Sequence, residues 1–92
     1  MEISEIEAIV INCILTNLRN SNESAPSVTP STAPLSDIAG FDSLRVLEVL
    51  IDIEEVLGCD LPPEKVFAGP NPTDTNIASI AEAIKKVKED SL

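Results

Sequence analysis

The sequence predicts an all-α protein: a small bundle of three main helices plus one short helix, with a long loop after the first. Three observations predict it. Apolar residues recur at helical i, i+3/i+4 spacing in three separate stretches, no strand-like alternation interrupts them, and clusters rich in Pro, Gly, Ser and Asn divide them. A chain of 92 residues is long enough for one hydrophobic core, so residues 1–92 are read as a single domain. With Phe41 and Phe67 as its only aromatic residues, that core has to be packed from Ile, Leu and Val.

The first helix is predicted over residues 4–19, where Ile3, Ile6, Val10, Ile14 and Leu18 form one stripe with Ile9 and Cys13 beside it. Ser4 and Glu7, three residues apart, fit a capping box at its start. From Asn20 the composition changes to Ser, Thr, Asn and Pro. Pro26, Pro30 and Pro34 each remove a backbone donor and disfavour helix before them, so 20–41 is expected as a loop, pinned by Val28 and Leu35. Asp42 and Ser43 are good N-cap residues and Gly58 is a natural stop, which brackets a central helix over 43–57. This helix is apolar on more than one side. Leu44, Leu47, Leu50, Ile51 and Leu57 are read as its inward face, and Val46, Val49, Ile53 and Val56 as surplus. A helix with such a surplus either sits centrally or meets a partner. Pro62-Pro63-Glu64 then opens a short helix over 63–67, which Gly69-Pro70-Asn71-Pro72 breaks. Ile77, Ile80, Ala81, Ile84 and Val87 mark the last helix, 75–88, with Lys85, Lys86 and Lys88 suited to the negative end of its dipole.

Charge and chemistry narrow the function. Sixteen acidic residues against six basic give a net charge of −10, which repels phosphate backbones and anionic bilayers. No nucleic acid and no membrane is therefore expected as a partner, and protein partners should be basic. The chain has no histidine, and Cys13 and Cys59 lie far apart without CxxC spacing. Neither a zinc site nor a Cys/His nucleophile pair can be built from these residues, so no metal and no catalysis by this chain alone is expected. Both cysteines read as ordinary buried or partly buried residues. The opening MEISEIEAIV lacks a basic stretch before its apolar residues, and no run approaches the ~18 apolar residues of a membrane span, which points to a cytoplasmic protein.

The chemistry that remains centres on Ala39-Gly40-Phe41-Asp42-Ser43-Leu44, a turn that delivers a serine hydroxyl to the first turn of the central helix. The free N–H groups and positive dipole end at that position stabilise a phosphate esterified there, and Gly40 lets another macromolecule's backbone approach. Serine without a general base is a poor nucleophile, so another protein has to perform the chemistry on Ser43.

At this motif the sequence resembles the acyl carrier protein family, and the resemblance covers almost the whole chain. Gly40, Asp42, Ser43 and Leu44 match the family's Asp-Ser-Leu motif after a glycine-containing turn, and 43–57 looks like its recognition helix. Position adds to the match: a helix and a Pro-rich loop precede the motif, and Leu61-Pro62, a short helix and a closing amphipathic helix follow. The resemblance implies a phosphopantetheine arm, taken from coenzyme A, on Ser43, with Asp42 and Leu44 as its motif neighbours. It implies that the arm's thiol holds acyl intermediates as thioesters. A phosphopantetheinyl transferase and acyl-loading, condensing and acyl-transfer enzymes with basic docking patches are the implied partners of a monomeric, freestanding carrier.

The charge distribution supports docking separately. Glu48, Asp52, Glu54, Glu55, Asp60 and Glu64 lie between Val46 and Glu64 with no Lys or Arg among them. Glu48, Asp52 and Glu55 share one stripe at i, i+4 and i+7, which guides a cationic partner. Arg45, Leu47 and Ile51 complete the expected docking set. A fatty or polyketide cargo is expected among Leu47, Leu50, Ile51, Ile53, Leu61 and Val66. Arg45 departs from the family, where an acidic or neutral residue is frequent, and this suggests dedicated partners in a specialised fatty-acid or polyketide-type pathway. Ala39 stands where the family commonly has a larger aliphatic, and the 20–34 loop is unusually rich in Pro and Ser. Asp42 argues against an elongating peptidyl carrier, whereas an aryl or aminoacyl carrier and an unmodified acidic helical adaptor remain alternatives.

Overall fold

In the computed structural model, which describes residues 2–20, 27–38, 40–67 and 72–90, helix α1 runs Ile3–Asn20. It starts before the expected capping box. Glu5, not Glu7, reaches back to accept the Glu2 N–H at 3.3 Å, while the Glu2 carbonyl accepts from Glu5 and Ile6, so Ser4 already lies inside the helix. The predicted stripe is inward: Ile6, Val10, Cys13, Ile14 and Leu18 are buried.

The long connection after α1 carries structure that its composition conceals. Thr29–Thr32 closes a turn, and α2 (Pro34–Asp37) follows with Pro34 in its first turn and the Asp37 carboxylate accepting the Ala33 N–H at 2.8 Å. Val28 and Leu35 pack on the core as expected. Expectations for 21–26, Ala39 and 68–71 lie outside the described residues.

Helix α3 (Ser43–Leu57) ends where Gly58 takes φ +69°, with the Gly58 N–H donating to the Glu54 carbonyl at 2.7 Å. The Glu54 carboxylate accepts the Leu61 N–H, also at 2.7 Å, and so fixes the path toward α4 (Pro63–Val66). Phe67 keeps a hydrogen bond to Pro63 but leaves helical geometry, one residue earlier than expected. A 3-10 turn (Pro72–Asp74) precedes α5 (Ile77–Asp90), which begins and ends two residues later than predicted. Asn76 caps it by accepting the Ser79 N–H, and the Thr32 and Pro30 carbonyls accept from Ile77 and Ala78. The early connection thus caps the last helix, a long-range pairing that local spacing does not reveal. Helix α1 packs along both α5 and α3, and α4 packs on α5.

The inward face of α3 corrects the sequence reading. Val46, Val49, Leu50 and Ile53 are buried, Leu57 is partly buried, and Leu44, Leu47, Ile51 and Val56 are exposed. Both apolar rows have helical spacing, so periodicity alone did not separate them. Solvation decides: at 100° per residue, Glu48 and Glu55 fall beside Leu44 and Ile51, and keeping those carboxylates in water turns that row outward.

Candidate functional site

The turn before α3 is built around two buried residues, Ile38 and Phe41, each 5 % exposed. Gly40, at φ +77°, lets the chain reverse between them, and the Phe41 N–H donates to the Ile38 carbonyl at 3.2 Å. With Phe41 anchored in the core, Asp42, Ser43 and Leu44 emerge at the surface. Asp42 is the N-cap: its side chain accepts the Arg45 N–H at 3.1 Å, and its carbonyl accepts the Val46 N–H at 3.1 Å. Helix geometry leaves the N–H groups of Ser43 and Leu44 without intrahelical acceptors. An exposed hydroxyl therefore stands beside free donors at the positive end of a 15-residue helix. These residues fit a phosphoester on Ser43, and with no histidine in the chain they offer no strong base of their own.

From this end, Leu44, Leu47 and Ile51 run down α3 as a stripe 65 %, 44 % and 55 % exposed. Glu48 and Glu55 are exposed along its edge, and Asp52 is half-buried. Ile51 is the ridge between two open grooves. One, of about 400 Å³, is lined by Asn17, Asn20, Glu48, Ile51 and Asp52; the other, of about 350 Å³, by Ile51, Glu54, Glu55, Gly58, Cys59 and Asp60. Arg45 is half-buried on the α1 side, where its Nη1 donates to Asn17 Oδ1 at 3.2 Å; Asn17 Nδ2 in turn donates to Glu48 Oε1 at 3.1 Å.

Behind the stripe, an apolar void of about 10 Å³ lies among α1, α2, α3, α5 and the ends of the neighbouring turns. Leu50 and Ile53 line it, together with Pro34, Phe41 and Phe67. Leu61 and Val66 are buried in the same core, whereas Leu47 and Ile51, expected both as cargo wall and as docking residues, stand on the exposed face. Cys13 is buried, and burial first, then the Asp52 charge, pushes its thiol up; Cys59 is half-buried, and both thiols are free. Sequence reasoning missed Asn17 and Asn20, which nothing marks until α1 is laid beside α3. It also missed that both phenylalanines meet at the void, although their scarcity was a signal.

A family described as the phosphopantetheine attachment site matches residues 9–84 of the 92. The chain belongs to this family. A phosphopantetheine-binding domain is the site at which that arm is covalently attached, and the protein is a phosphopantetheine-carrying carrier. Such carrier domains are generally not catalysts themselves; they work with a phosphopantetheinyl transferase and with biosynthetic enzymes. Comparisons with curated proteins and with solved structures give no match. Among the described residues, no helix is long and apolar enough to cross a membrane.

Proposed function

We propose that Ser43 bears the phosphopantetheine arm and that the protein carries acyl groups between the enzymes of a specialised fatty-acid or polyketide-type pathway. The observation that carries this reading is the exposed Ser43 hydroxyl beside the free donors of α3, in a chain whose family is defined by phosphopantetheine attachment. When bound, the arm supplies a terminal thiol that holds an acyl group as a thioester. This chain's own residues provide the rest. Asp42 holds the start of the helix, Leu44 offers an apolar contact next to Ser43, and the transferase supplies the base that takes the serine proton.

Docking falls to the exposed face of α3. Leu47 and Ile51 provide apolar contact, and Glu48, Asp52 and Glu55 set the register for basic side chains. The net charge of −10 steers such partners from a distance. Cargo association falls to the void, where Leu50 and Ile53 are the contacts and Leu61 and Val66 lie in the surrounding core. A void of about 10 Å³ holds no alkyl chain at rest, so a chain has to part the helices; each methylene then sequestered contributes up to about 0.8 kcal/mol. The same small volume favours a second reading, a compact aryl or aminoacyl cargo that never enters. Membership of the attachment-site family weighs against the unmodified adaptor.

Loading tests the proposal. The protein modified from coenzyme A should take up acyl groups in a hydroxylamine-labile linkage when supplied with a loading enzyme, and the unmodified protein should take up none. Equal acylation of both forms would refute carriage on the arm.

A further inference from the structure

The void behind α3 has one wall that reaches water. Of the ten described residues that line it, nine are buried, and Phe67 alone is half-buried. Its backbone is held where α4 ends: the Phe67 N–H donates to the Pro63 carbonyl at 2.8 Å, and the residue has left helical geometry at φ −113° and ψ 54°. The ring can therefore turn about its own side-chain bonds while the chain stays in place. Helix α3 packs on α1 and α4 packs on α5, so side chains rather than close backbone packing fill the seam between α3 and α4. The start of that segment is tied to α3 by the Glu54 carboxylate, which accepts the Leu61 N–H at 2.7 Å; at its other end the Phe67 ring lies on the void together with Leu50 and Ile53. The second aromatic wall shows where a cargo would come from. Phe41 lines the same void two residues before Ser43, so an arm on Ser43 starts beside it. Phe41 itself is 5 % exposed and bonded to Ile38, and moving it would carry the attachment turn along.

We propose that Phe67 is the gate by which a linear acyl chain on the Ser43 arm enters the core, and that it sets the shortest chain that enters. The proposal rests on the reading of the void as the cargo site. Turning the ring outward gives up the part of it that is buried, and an incoming chain restores that burial only by placing enough methylenes where the ring was. An acetyl group is too short to do so. A medium-length chain such as octanoyl replaces the buried part of the ring and goes on to fill the space behind it. Any other wall residue would give up nearly all of its contact with the core, which makes Phe67 the least costly wall to move. Phe67 thus discriminates by chain length as a specificity-determining residue.

The test uses the fact that the chain has two phenylalanines, so protein made with para-fluorophenylalanine gives two fluorine NMR signals, and Phe67→Leu identifies which is which. A phosphopantetheinyl transferase loads the arm alone or its acetyl, butyryl, hexanoyl or octanoyl form from the corresponding coenzyme A thioester, with loading followed by intact mass. In the unacylated and acetyl forms both signals should keep their folded positions. In the octanoyl form the Phe67 signal should move toward its position in urea-unfolded protein and become sensitive to exchange of light for heavy water, the Phe41 signal should stay insensitive to that exchange, and the methyl signals of Val10, Ile14 and Leu50 should shift. Phe67→Ala, shown to be folded by urea unfolding, should let shorter chains shift the same methyls. Methyl shifts with the Phe67 signal unmoved would mean that the chain enters past another wall: the cargo site stands and the gate falls. The same chain-length threshold in Phe67→Ala as in wild type would also overturn the gate. If the fully loaded carrier shows no methyl shift at any length, the cargo reading falls and takes the gate with it, while attachment of the arm stands.

Discussion

Ile51 and Ile53 are the same residue two positions apart on α3, one 55 % exposed and the other 1 %. Replacing each by Ala gives opposite costs if the assigned faces are right. Ile53 lines the void and touches the core, so its truncation removes buried methyl groups and enlarges a space that the neighbours already fail to fill. Such changes cost about 2–5 kcal/mol, and we expect about 3. In a domain of this size each kcal/mol moves the melting temperature by roughly 4–8 °C, which predicts a loss of roughly 12–24 °C. Ile51→Ala loses only partial burial and gains helix propensity, so its change should stay within about 0.5–1 kcal/mol. Urea unfolding followed by far-UV circular dichroism measures both, with equal slopes confirming that the unfolded states are comparable. Equal losses, or a larger one for Ile51, would refute the face assignment and with it the exposed stripe on which docking depends.

Charge reversal of Glu48, Asp52 and Glu55 to Lys should slow arm transfer and acyl loading at low salt, with the difference shrinking as screening shortens to roughly 8 Å near physiological ionic strength; rates indifferent to both reversal and salt would show that docking is not electrostatic. Phe67→Ala should enlarge the void and increase the melting-temperature gain on loading long acyl chains, whereas an unchanged gain and unshifted methyl NMR signals across chain lengths would favour the aryl or aminoacyl reading. Burial raises the Cys13 thiol above its ordinary value of 9.0, so the folded state holds that proton more tightly than the unfolded state. The associated stability is complete below the unfolded value and is lost as pH rises toward the folded one; the urea midpoint should fall between about pH 8 and pH 10 more steeply in wild type than in Cys13→Ala, and parallel curves would contradict this.

Much of the fold is legible because α1 and α5 each have a single apolar stripe, and one stripe leaves one way to pack. Helix α3 has two stripes, and the choice between them rests on where Glu48 and Glu55 must be solvated and on Phe41 anchoring the preceding turn. Helix α2 was hidden because four residues beginning at Pro34 have no periodicity to read, and their stability comes from an Asp37 side-chain bond and packing of Leu35. At the site, Asp42 and Ser43 are legible because capping is local and chemical. Asn17 is not, since an asparagine in the last turn of α1 gains meaning only from residues 28 and 31 positions further along the chain.

The central claim is that Ser43, at the head of α3, is where the arm is attached. Intact-mass measurement of wild type and Ser43→Ala after incubation with a phosphopantetheinyl transferase and coenzyme A tests it most directly. Wild type should gain one phosphopantetheine mass, and Ser43→Ala, folded by circular dichroism, should gain none. The same mass increment on Ser43→Ala would place the arm on another residue and contradict the account.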